Sequence, residues 1–437
     1  MNRRLLVGLL FYAIAFSLGF VSSSRGDEVT FWNGQLLDSV RALSTPPPKA
    51  SRAMAMVHTA IYDAVNSVDR THRPYAGYVL SNPLASKEAA TAQAAHDTLV
   101  SLYPTRTSIF DAALTSRLNA IADGSSKTDG IATGSASASQ IITLRSNDNS
   151  SLVVPYSPGG SPGDWQPTPP AFAPALLPNW PLVTPWAMPL GTSFVNFGTP
   201  PAVGSAEYTA ALNEVRDLGS ATSATRTADQ TDIAKFWADG SGTATPPGHW
   251  NRIAEQIVAA EGFTIDDSAR LFAQLNIALA DAAITSWTYK YQYDYWRPVT
   301  AIQSTLDPSW TPLLTTPPFP SFTSGHSTFS GAASQILSDW FGNSYSFTTG
   351  SEGFALANRS FNSFSEAADE AGLSRIYGGI HFNFDNVVGL SSGRALGSYV
   401  YQTQLQAVPE VGSIGLVMMA TTLFAFGWVK MRRLASL

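Results

Sequence analysis

The sequence predicts a mainly α-helical protein, a helical bundle with long proline-rich loops. Apolar residues recur at spacings of three and four in several segments, as Met54, Val57, Ile61 and Val65 do within residues 51–69. No stretch of the sequence stands out for the apolar–polar alternation of a half-buried strand. Proline, glycine and aromatic residues are concentrated between residues 153 and 201, where this density of proline excludes long helices.

The composition limits the classes of function. The 437 residues are 44% hydrophobic and 13% charged, which permits a substantial core in one large domain or two modest ones. The formal net charge of −6 argues against a broad basic surface for nucleic acid, so any anion site must be a local concentration of lysine and arginine. The absence of cysteine excludes disulfides, thiolate metal sites and a cysteine nucleophile.

Residues 1–24 predict a secretory signal peptide. Two arginines precede an almost wholly apolar run from Leu5 to Val21, and three serines follow it. The alternative is an N-terminal membrane anchor. Because small residues follow the apolar run directly, the signal peptide is the preferred interpretation.

Residues 408–437 have the opposite layout, with an apolar run from Ile414 to Val429 followed by a basic cluster at 430–433. Such a run can just span a bilayer, with the basic end in the cytoplasm. The tail resembles the PEP-CTERM sorting signal of Gram-negative bacteria, although Val411 stands where that motif has its second proline. The alternative is a permanent single-pass anchor, and in both cases the body at 25–407 faces away from the cytoplasm.

The helices between these ends follow from periodicity, and proline marks the breaks. In the first part we predict helices over 51–69, 89–102 and 108–123, with His58 and His96 as packing residues that have local partners. The aromatic residues of 153–201 predict an ordered, irregular excursion that packs on the helical body and lines a substrate channel. Further helices are expected over 205–218, 229–237, 251–261, 268–295 and 328–341. His72 in a polar turn and His249 in a Pro-Gly loop receive no role.

Three short segments in the last third contain most of the unusual residues. In the first, Lys290 and Arg297 are seven apart at the end of the long helix, so both are expected on one helical face, with Pro298 ending the helix. Trp287 and Trp296 accompany them, which is unusual for a solvated run of charge. Taken alone, the segment is equally compatible with cations that extend from a helix end to water.

The second segment is a proline-rich approach to Ser324, Gly325 and His326 at a predicted helix start. The helix start leaves backbone N–H groups free for an anion, and Gly325 lets the backbone approach a ligand closely. Ser324 supplies a hydroxyl donor and His326 a group for proton transfer. An ordinary helix cap beside a surface histidine is the structural alternative. A Ser-His nucleophile pair is disfavoured, because the nucleophile-elbow motif and an obvious triad are missing from the sequence.

The third segment has Arg375 six residues before His381 and Asp385 four residues after it. Gly378 and Gly379 permit a turn between the arginine and the histidine. At a spacing of four, Asp385 lies on the same helical face as His381 and can hold one ring nitrogen, which makes the other more basic. The three segments together supply the cations, hydroxyl, N–H group and histidines that a tetrahedral oxyanion requires.

These segments resemble the signature of the superfamily that joins type 2 phosphatidic-acid phosphatases, bacterial acid phosphatases and vanadium-dependent haloperoxidases. The resemblance covers Lys290 to Asp385, with Thr323 where the middle motif usually has proline, and the helices back to about residue 32 look like the haloperoxidase branch. It implies an α-helical catalytic domain over 25–407, with the site motifs at 287–385. It also implies vanadate as the cofactor, with phosphate able to occupy the same site. The implied anion ligands are Lys290, Arg297, Ser324, Gly325, His326, Arg375 and His381.

The resemblance also implies individual roles. His381 would bond the central atom axially, and Asp385 would support it. His326 would act as the acid–base group, and Lys290 would polarise the bound substrate. Trp287, Trp296 and Phe319 would line the pocket.

Two chemistries fit this pocket, and the resemblance favours a haloperoxidase that oxidises halide with H₂O₂ to hypohalous acid. The body outside the two ends predicts no set of membrane helices, and the chain is far longer than the small acid phosphatases. Phe319 stands where chloride-oxidising relatives carry phenylalanine, which guides the choice of halide only weakly. The first alternative is an exported acid phosphatase with His381 as nucleophile. The second is a non-catalytic surface protein that keeps the pocket as a scaffold.

The expected partners are H₂O₂ with a halide or a small organic substrate, and no nucleic acid. The expected location is the periplasm or the cell surface and exterior of a Gram-negative bacterium. Contact with the membrane would occur only through the C-terminal tail before its processing. The long loops are compatible with a homodimer.

Overall fold

The computed structural model describes residues 28–353 and 358–409, which form mainly α-helices joined by long loops. The helices are α1 Glu28–Ala42, α2 Pro47–Asp69, α3 Lys87–Leu102, α4 Thr107–Asn119, α5 Ser125–Leu144, α6 Ala206–Gly219, α7 Ala228–Phe236, α8 Thr245–Glu261, α9 Ile265–Tyr293, α10 Pro298–Thr305, α11 Gly325–Phe341, α12 Phe364–Tyr377 and α13 Asn383–Thr403. Two short strands, β1 Phe347–Thr349 and β2 Arg359–Phe361, pair antiparallel. The mainly α fold class is confirmed. Strands of three residues are too short to produce the alternation that would reveal them in the sequence.

Close helix packing builds two groups of helices that share α9. In the first, α2 packs against α3, α5 and α9, and residues all round the helix are buried, which leaves almost no exposed face. In the second, α11 lies against α13 with almost no side chain between them. A Cβ placed on Gly393 would lie 2.3 Å from the carbonyl oxygen of Thr328, so only glycine permits this approach. The approach brings the starts of α11 and α13 together, where the second and third motifs lie.

The long central helix α9 was predicted over 268–295, and it begins three residues earlier and ends two residues earlier than that. It is buried along most of its length, and it ends at Tyr293 because Asp294 adopts a left-handed conformation with φ of 48°. Arg297 therefore lies outside this helix, as the N-cap of α10, and the prediction that it shares a helical face with Lys290 was wrong. Pro298 starts α10 and does not end α9, because a proline at the first helical position lacks only an N–H that would be unpaired there.

The excursion over residues 153–201 is ordered and irregular, as predicted, with one short 3₁₀ turn at Trp180–Leu182. Its attachment to the helical body depends on a buried carboxylate in the middle of α9. Asp281 accepts hydrogen bonds from the amides of Trp186, Ala187 and Met188 at 2.7–2.9 Å. One side chain thus holds three consecutive residues of the excursion against the central helix.

Four histidines lie away from the three motifs. His58 is fully buried in α2 and bonds Asn33 at 2.8 Å, and His96 in α3 lies between Asp97 and Asp111, so both have the packing roles and local partners that were predicted. His72 forms an isolated antiparallel bridge with Ala407. His249 was expected in a loop, but it lies inside α8, because the two prolines before it stand in the first turn, where a helix tolerates them.

The predictions for the chain ends lie almost entirely outside the described residues. Neither the signal peptide at 1–24 nor the apolar run at 414–429 is described. Within residues 28–353 and 358–409, no helix combines the length and the apolar character needed to cross a membrane. The last described residues pair with the loop after α2, where the amide of Val408 donates to the carbonyl oxygen of Thr71 at 2.9 Å.

Candidate active site

The three motifs meet where α9 ends and where α11 and α13 begin. Nη1 of Arg297 lies 3.0 Å from Nε2 of His381, which joins the first motif to the third. The amide of Ser324 donates to the carbonyl oxygen of Asp385 at 3.0 Å, which joins the second motif to the third. Residues separated by more than 80 positions therefore form one buried cluster.

Lys290 is fully buried at the end of α9 and points into the loop before α11. Its Nζ donates to the carbonyl oxygens of Pro320 and Ser321 at 3.0 Å each, and to that of Thr323. Burial lowers the pKa of Lys290 well below its usual range, and the charge of Arg297 lowers it further. Because an ammonium has three donors, Nζ must release one of these carbonyls to bind an oxyanion.

Arg297 is also fully buried, although it lies outside the helix that carries Lys290. It donates from Nε to the carbonyl oxygen of Phe319 at 2.8 Å and from Nη1 to that of Ile380 at 2.7 Å. Its Nη2 is buried and has no hydrogen-bond partner among the described residues. Burial lowers the pKa of Arg297 to about 9, so the guanidinium is still charged at neutral pH. A buried guanidinium with one unused NH₂ group is poised to receive an anionic oxygen.

The start of α11 supplies a hydroxyl and backbone amides. Ser324 is the N-cap, and its Oγ accepts the amide of Ser327 at 3.2 Å, which leaves the hydroxyl proton available to a ligand. The amides of Gly325 and His326 are in the first turn, where a helix has no internal acceptor for them. The prediction of a helix start at this motif is confirmed.

His326 sits in the first turn of α11, and its side chain contacts the segment that follows α7. Its Nε2 lies 3.3 Å from the carbonyl oxygen of Ala238, and since a carbonyl only accepts, Nε2 carries the proton. Burial and the nearby charge of Arg375 lower the pKa of His326 well below its usual range. The ring is therefore neutral at pH 7.

Arg375 lies in the last turn of α12 and is 1% exposed. Its Nε donates to Oγ of Ser374 at 2.9 Å, and its Nη2 donates to the carbonyl oxygen of Ala234 at 3.0 Å. Burial lowers its pKa to about 10, and the carboxylate of Asp239 acts in the opposite direction. The turn predicted after Arg375 is present at Gly378 and Gly379, where Gly379 has φ of 77°.

His381 precedes α13, and Asp385 stands in the first turn of that helix. Nδ1 of the ring lies 2.8 Å from Oδ2 of Asp385, so the predicted contact exists, although His381 itself is outside the helix. Arg297 only donates hydrogen bonds, so its contact with His381 uses the lone pair on Nε2 of that ring. The ring proton is therefore on Nδ1, which donates to the carboxylate of Asp385. Burial and the surrounding cations lower the pKa of His381 well below its usual range. Burial raises the pKa of Asp385 to about 6, so at pH 7 a neutral ring faces an ionised carboxylate.

Aromatic rings shield the cations on one side. Nζ of Lys290 lies 4.9 Å from the ring centroid of Phe319, and Cζ of Arg297 lies 4.8 Å from the same centroid. Trp287 packs on Phe319 with centroids 4.9 Å apart. The ring of Trp296 stacks on Tyr208 at 6.2 Å in an apolar cluster behind the motifs.

The excursion contacts this aromatic wall. The carbonyl oxygen of Leu176 accepts Nε1–H of Trp287 at 3.2 Å and the hydroxyl of Tyr291 at 2.7 Å. The amide of Leu176 donates to the carbonyl oxygen of Pro318 at 2.8 Å. One residue of the excursion thus holds α9 and the loop before α11 together beside the site.

The segment after α7 and the residue that holds it, His249, were not predicted from the sequence. Ala238 contacts His326, and the carboxylate of Asp239 lies 3.1 Å from Nδ1 of His249. The ring of Trp237 stacks on His249 with centroids 4.6 Å apart. These residues follow no spacing rule relative to the motifs, so no sequence signal marks them.

The cluster fits a tetrahedral or five-coordinate oxyanion such as vanadate or phosphate. Three cations lie in it, while Asp385 is the carboxylate in contact with His381, and Nη2 of Arg297 is an unused buried donor. The lone pair on Nε2 of His381 accepts Nη1–H of Arg297, and it can bond a central atom once that guanidinium turns its donors to the oxygens of the anion. Buried cations in excess of the carboxylates beside them are costly, and a bound anion would compensate them.

The chain is similar to several proteins that are named as vanadium-dependent enzymes. A family model described as "VCPO second helical-bundle domain" matches residues 270–409. The vanadium chloroperoxidase of Curvularia inaequalis is 29% identical over an alignment of 400 residues, and the match covers 72% of this chain and 65% of that protein. The chain thus spans somewhat less than two thirds of the length of that curated relative.

Solved structures extend the likeness to nearly the whole fold. The first bacterial vanadium-dependent iodoperoxidase with a crystal structure is 30% identical to this chain. The two structures superpose with a TM-score of 0.80, over 88% of this chain and 98% of the other. A holo-type bacterial vanadium-dependent chloroperoxidase is 15% identical with a TM-score of 0.67, and it shows the shared fold alone. At 30% identity over almost all of a solved relative, the chain belongs to the vanadium-dependent haloperoxidase family.

Proposed function

We propose that the chain is a vanadate-dependent haloperoxidase, which uses H₂O₂ to oxidise a halide to hypohalous acid. The observation that carries this proposal is the contact between Nη1 of Arg297 and the lone pair of Nε2 of His381, with Nη2 of Arg297 unpartnered beside it. This geometry would offer a nitrogen ligand and a cationic donor at the same place. Bound vanadate would supply Lewis-acid chemistry, activating H₂O₂ toward halide without a change in oxidation state.

The residues of the chain would divide the work of binding. Arg297 and Arg375 would neutralise the anion and direct it, and the hydroxyl of Ser324 with the amide of Gly325 would complete its hydrogen bonds. His381 would bind through Nε2, because Asp385 holds the proton on Nδ1. Lys290 would donate to the bound substrate after exchanging one of its carbonyl partners.

His326 is placed to transfer protons. The pKa of His326 is lowered partly by cationic neighbours, so the negative charge of a bound oxyanion would raise this pKa toward neutral pH. A histidine with a pKa near the operating pH can both accept and donate a proton during turnover. The wall of Trp287 and Phe319 would keep water away from the cations.

A second function rests on the same lone pair. A neutral His381, with Nε2 directed toward buried cations, is also suited to attack a phosphate ester, as in an acid phosphatase. The relatives named above are haloperoxidases of similar architecture, which favours the peroxidase. Because they include chloroperoxidases and an iodoperoxidase, the preferred halide must be measured.

The test is halide-dependent oxidation by the purified protein, with chloride, bromide and iodide in turn, with and without orthovanadate, beside hydrolysis of p-nitrophenyl phosphate. We expect H₂O₂-dependent oxidation that requires vanadate and is lost in His381→Ala. His72→Ala is the matched control, because His72 lies away from the cluster. Phosphate hydrolysis that vanadate only inhibits, without oxidation of any halide, would establish the phosphatase.

We further propose that the enzyme is exported and acts in the periplasm or at the cell surface. The support is the sequence of residues 1–24 and 408–437, with their basic, apolar and small-residue pattern. The intact mass of the protein recovered from cell fractions checks this. Removal of about the first 24 residues is expected, and recovery of the full chain from the cytosol would contradict export.

A further inference from the structure

Ser321 lies between the first and third motifs and was not assigned a role from the sequence. It is fully buried in the loop before α11. Its amide donates to the carbonyl oxygen of Tyr295 at 2.8 Å, and its carbonyl oxygen accepts Nζ of Lys290 at 3.0 Å. With the backbone held on both sides, the direction of the side chain is also set.

The hydroxyl of Ser321 contacts the carboxylate that supports His381. It donates to Oδ2 of Asp385, and its Oγ lies 3.4 Å from Nδ1 of His381. The amide of Phe382, at 3.1 Å, and Nδ1–H of His381, at 2.8 Å, donate to the same oxygen. The other oxygen, Oδ1, is buried and has no hydrogen-bond partner among the described residues. The orientation of the carboxylate therefore depends on donors to one oxygen.

Ser321 differs from the other two donors in its place along the chain. Phe382 and His381 belong to the same short segment as Asp385, so they would follow the carboxylate if that segment shifted. Ser321 is 64 residues away and joins the loop before α11 to the start of α13. It ties the carboxylate to the loop that also holds Lys290. Loss of a group that supports a metal ligand in this way commonly weakens metal binding by about 10- to 100-fold.

We propose that Ser321 is a positioning residue, which holds Oδ2 of Asp385 against Nδ1 of His381 and so directs Nε2 toward a bound oxyanion of the vanadate or phosphate type. This inference rests on the oxyanion site of the proposed function. It concerns affinity for the anion and does not depend on whether the bound anion supports peroxidase or phosphatase turnover.

The test is a double-substitution cycle on the purified protein, with the dissociation constants of orthovanadate and of inorganic phosphate measured by equilibrium dialysis. We expect Ser321→Ala to weaken vanadate binding about tenfold. Asp385→Asn should weaken it at least as much. In the double variant Ser321→Ala should add nothing further, because its effect passes through Asp385.

Two further variants separate hydrogen bonding from packing. Ser321→Cys keeps nearly the same shape with a much weaker donor, so its affinity should fall as in Ser321→Ala. Ser392→Ala is the control, since Ser392 is equally buried in α13 and donates only to the carbonyl oxygen of Gly389. Thermal unfolding checks that each variant is folded. If Asp385→Asn does not fold, the comparison of Ser321→Ala with Ser321→Cys decides the question.

Several outcomes would overturn the inference. They are an unchanged vanadate affinity in Ser321→Ala, a Ser321→Cys variant with full affinity, and a double variant in which the two losses multiply. Anion binding without halide oxidation in the unsubstituted protein would remove the proposed function and leave this inference intact. A protein that binds neither vanadate nor phosphate would overturn both.

Discussion

The helices before the excursion and those after it bury polar side chains in different ways. In the first group, α1 to α5, Oγ of Ser137 donates to the carbonyl oxygen of Ala60 at 2.8 Å, and Asp63 accepts the amides of Tyr75 and Ala76 at 2.7 and 2.8 Å. In the second group, α9 and α11 to α13, buried cations converge and one of them keeps an unused donor. Polar groups satisfied by the protein itself stabilise the fold, whereas cations in excess indicate a ligand.

The contrast extends to buried arginines. Arg145, at the end of α5, is 2% exposed and bonds the carboxylate of Asp148 at 3.0 Å. Arg297 is equally buried but has carbonyl oxygens and the lone pair of His381 as partners. The same residue type is therefore balanced by a carboxylate in one region and by neutral groups in the other. Four predictions test this difference between the two regions.

The largest expected effects come from removing each of these two arginines in turn, because the two substitutions should affect different properties of the protein. Arg297→Ala should weaken vanadate binding by about 100-fold or more, since it removes a preorganised donor. Arg145→Ala should leave the affinity unchanged but lower the free energy of unfolding by about 3 kcal/mol, because it removes one partner of a buried ion pair. Equilibrium dialysis and urea unfolding measure the two quantities. Equal losses of vanadate affinity in the two variants would contradict the assignment of Arg297, and not Arg145, to the anion site.

Vanadate itself should stabilise the second group of helices. At 100 times its dissociation constant, a ligand that binds only the folded state adds about 2.7 kcal/mol to the free energy of unfolding. At the same vanadate concentration the gain should fall to about 0.4 kcal/mol or less in Arg297→Ala, because the affinity of that variant is about 100-fold lower. Hydrogen exchange should show the new protection at the starts of α11 and α13, and protection confined to α1 to α5 would contradict the assignment of the site.

The third effect is a pH dependence of stability that originates in the first group. Burial lowers the pKa of His58 to about 3, below the usual value of 6.5, so protonation of His58 is less favourable in the folded protein than in the unfolded chain. The stabilisation is complete above pH 6.5 and is lost as the pH falls toward 3. Between pH 6.5 and 5 the loss is about 2 kcal/mol.

His58→Gln provides the comparison for this loss, because glutamine stays neutral over the whole range. Urea unfolding of both proteins at several pH values gives the difference in slope. Parallel pH profiles would mean that His58 is already accessible to protons in the folded state.

The smallest effect concerns the segment after α7. His249→Phe keeps a ring to stack on Trp237 but loses the contact with Asp239. We expect the turnover number for halide oxidation to fall about tenfold, since the contact of this segment with His326 would loosen. Vanadate affinity should change less than in Arg297→Ala. Full turnover would show that Trp237 alone holds the segment.

Much of the fold was predictable because its causes are local. The apolar period of α2, the proline-rich excursion and the helix start at Ser324 depend on residues within a few positions of one another. Errors arose where a local rule was extended too far. The spacing of Lys290 and Arg297 suggested one helix, but the left-handed residue Asp294 separates them. His249 was placed in a loop because Pro246, Pro247 and Gly248 come before it.

The sequence by itself determined which residue types the site contains and in what order, because helix periods, caps and motif spacings act over short distances. Only the tertiary structure decided that Arg297 faces His381, that Ser321 reaches Asp385 and that His249 holds Asp239. These partners are 84, 64 and 10 residues apart and belong to different elements or loops. Their contacts arise from helix packing around α9, which no short pattern along the chain encodes.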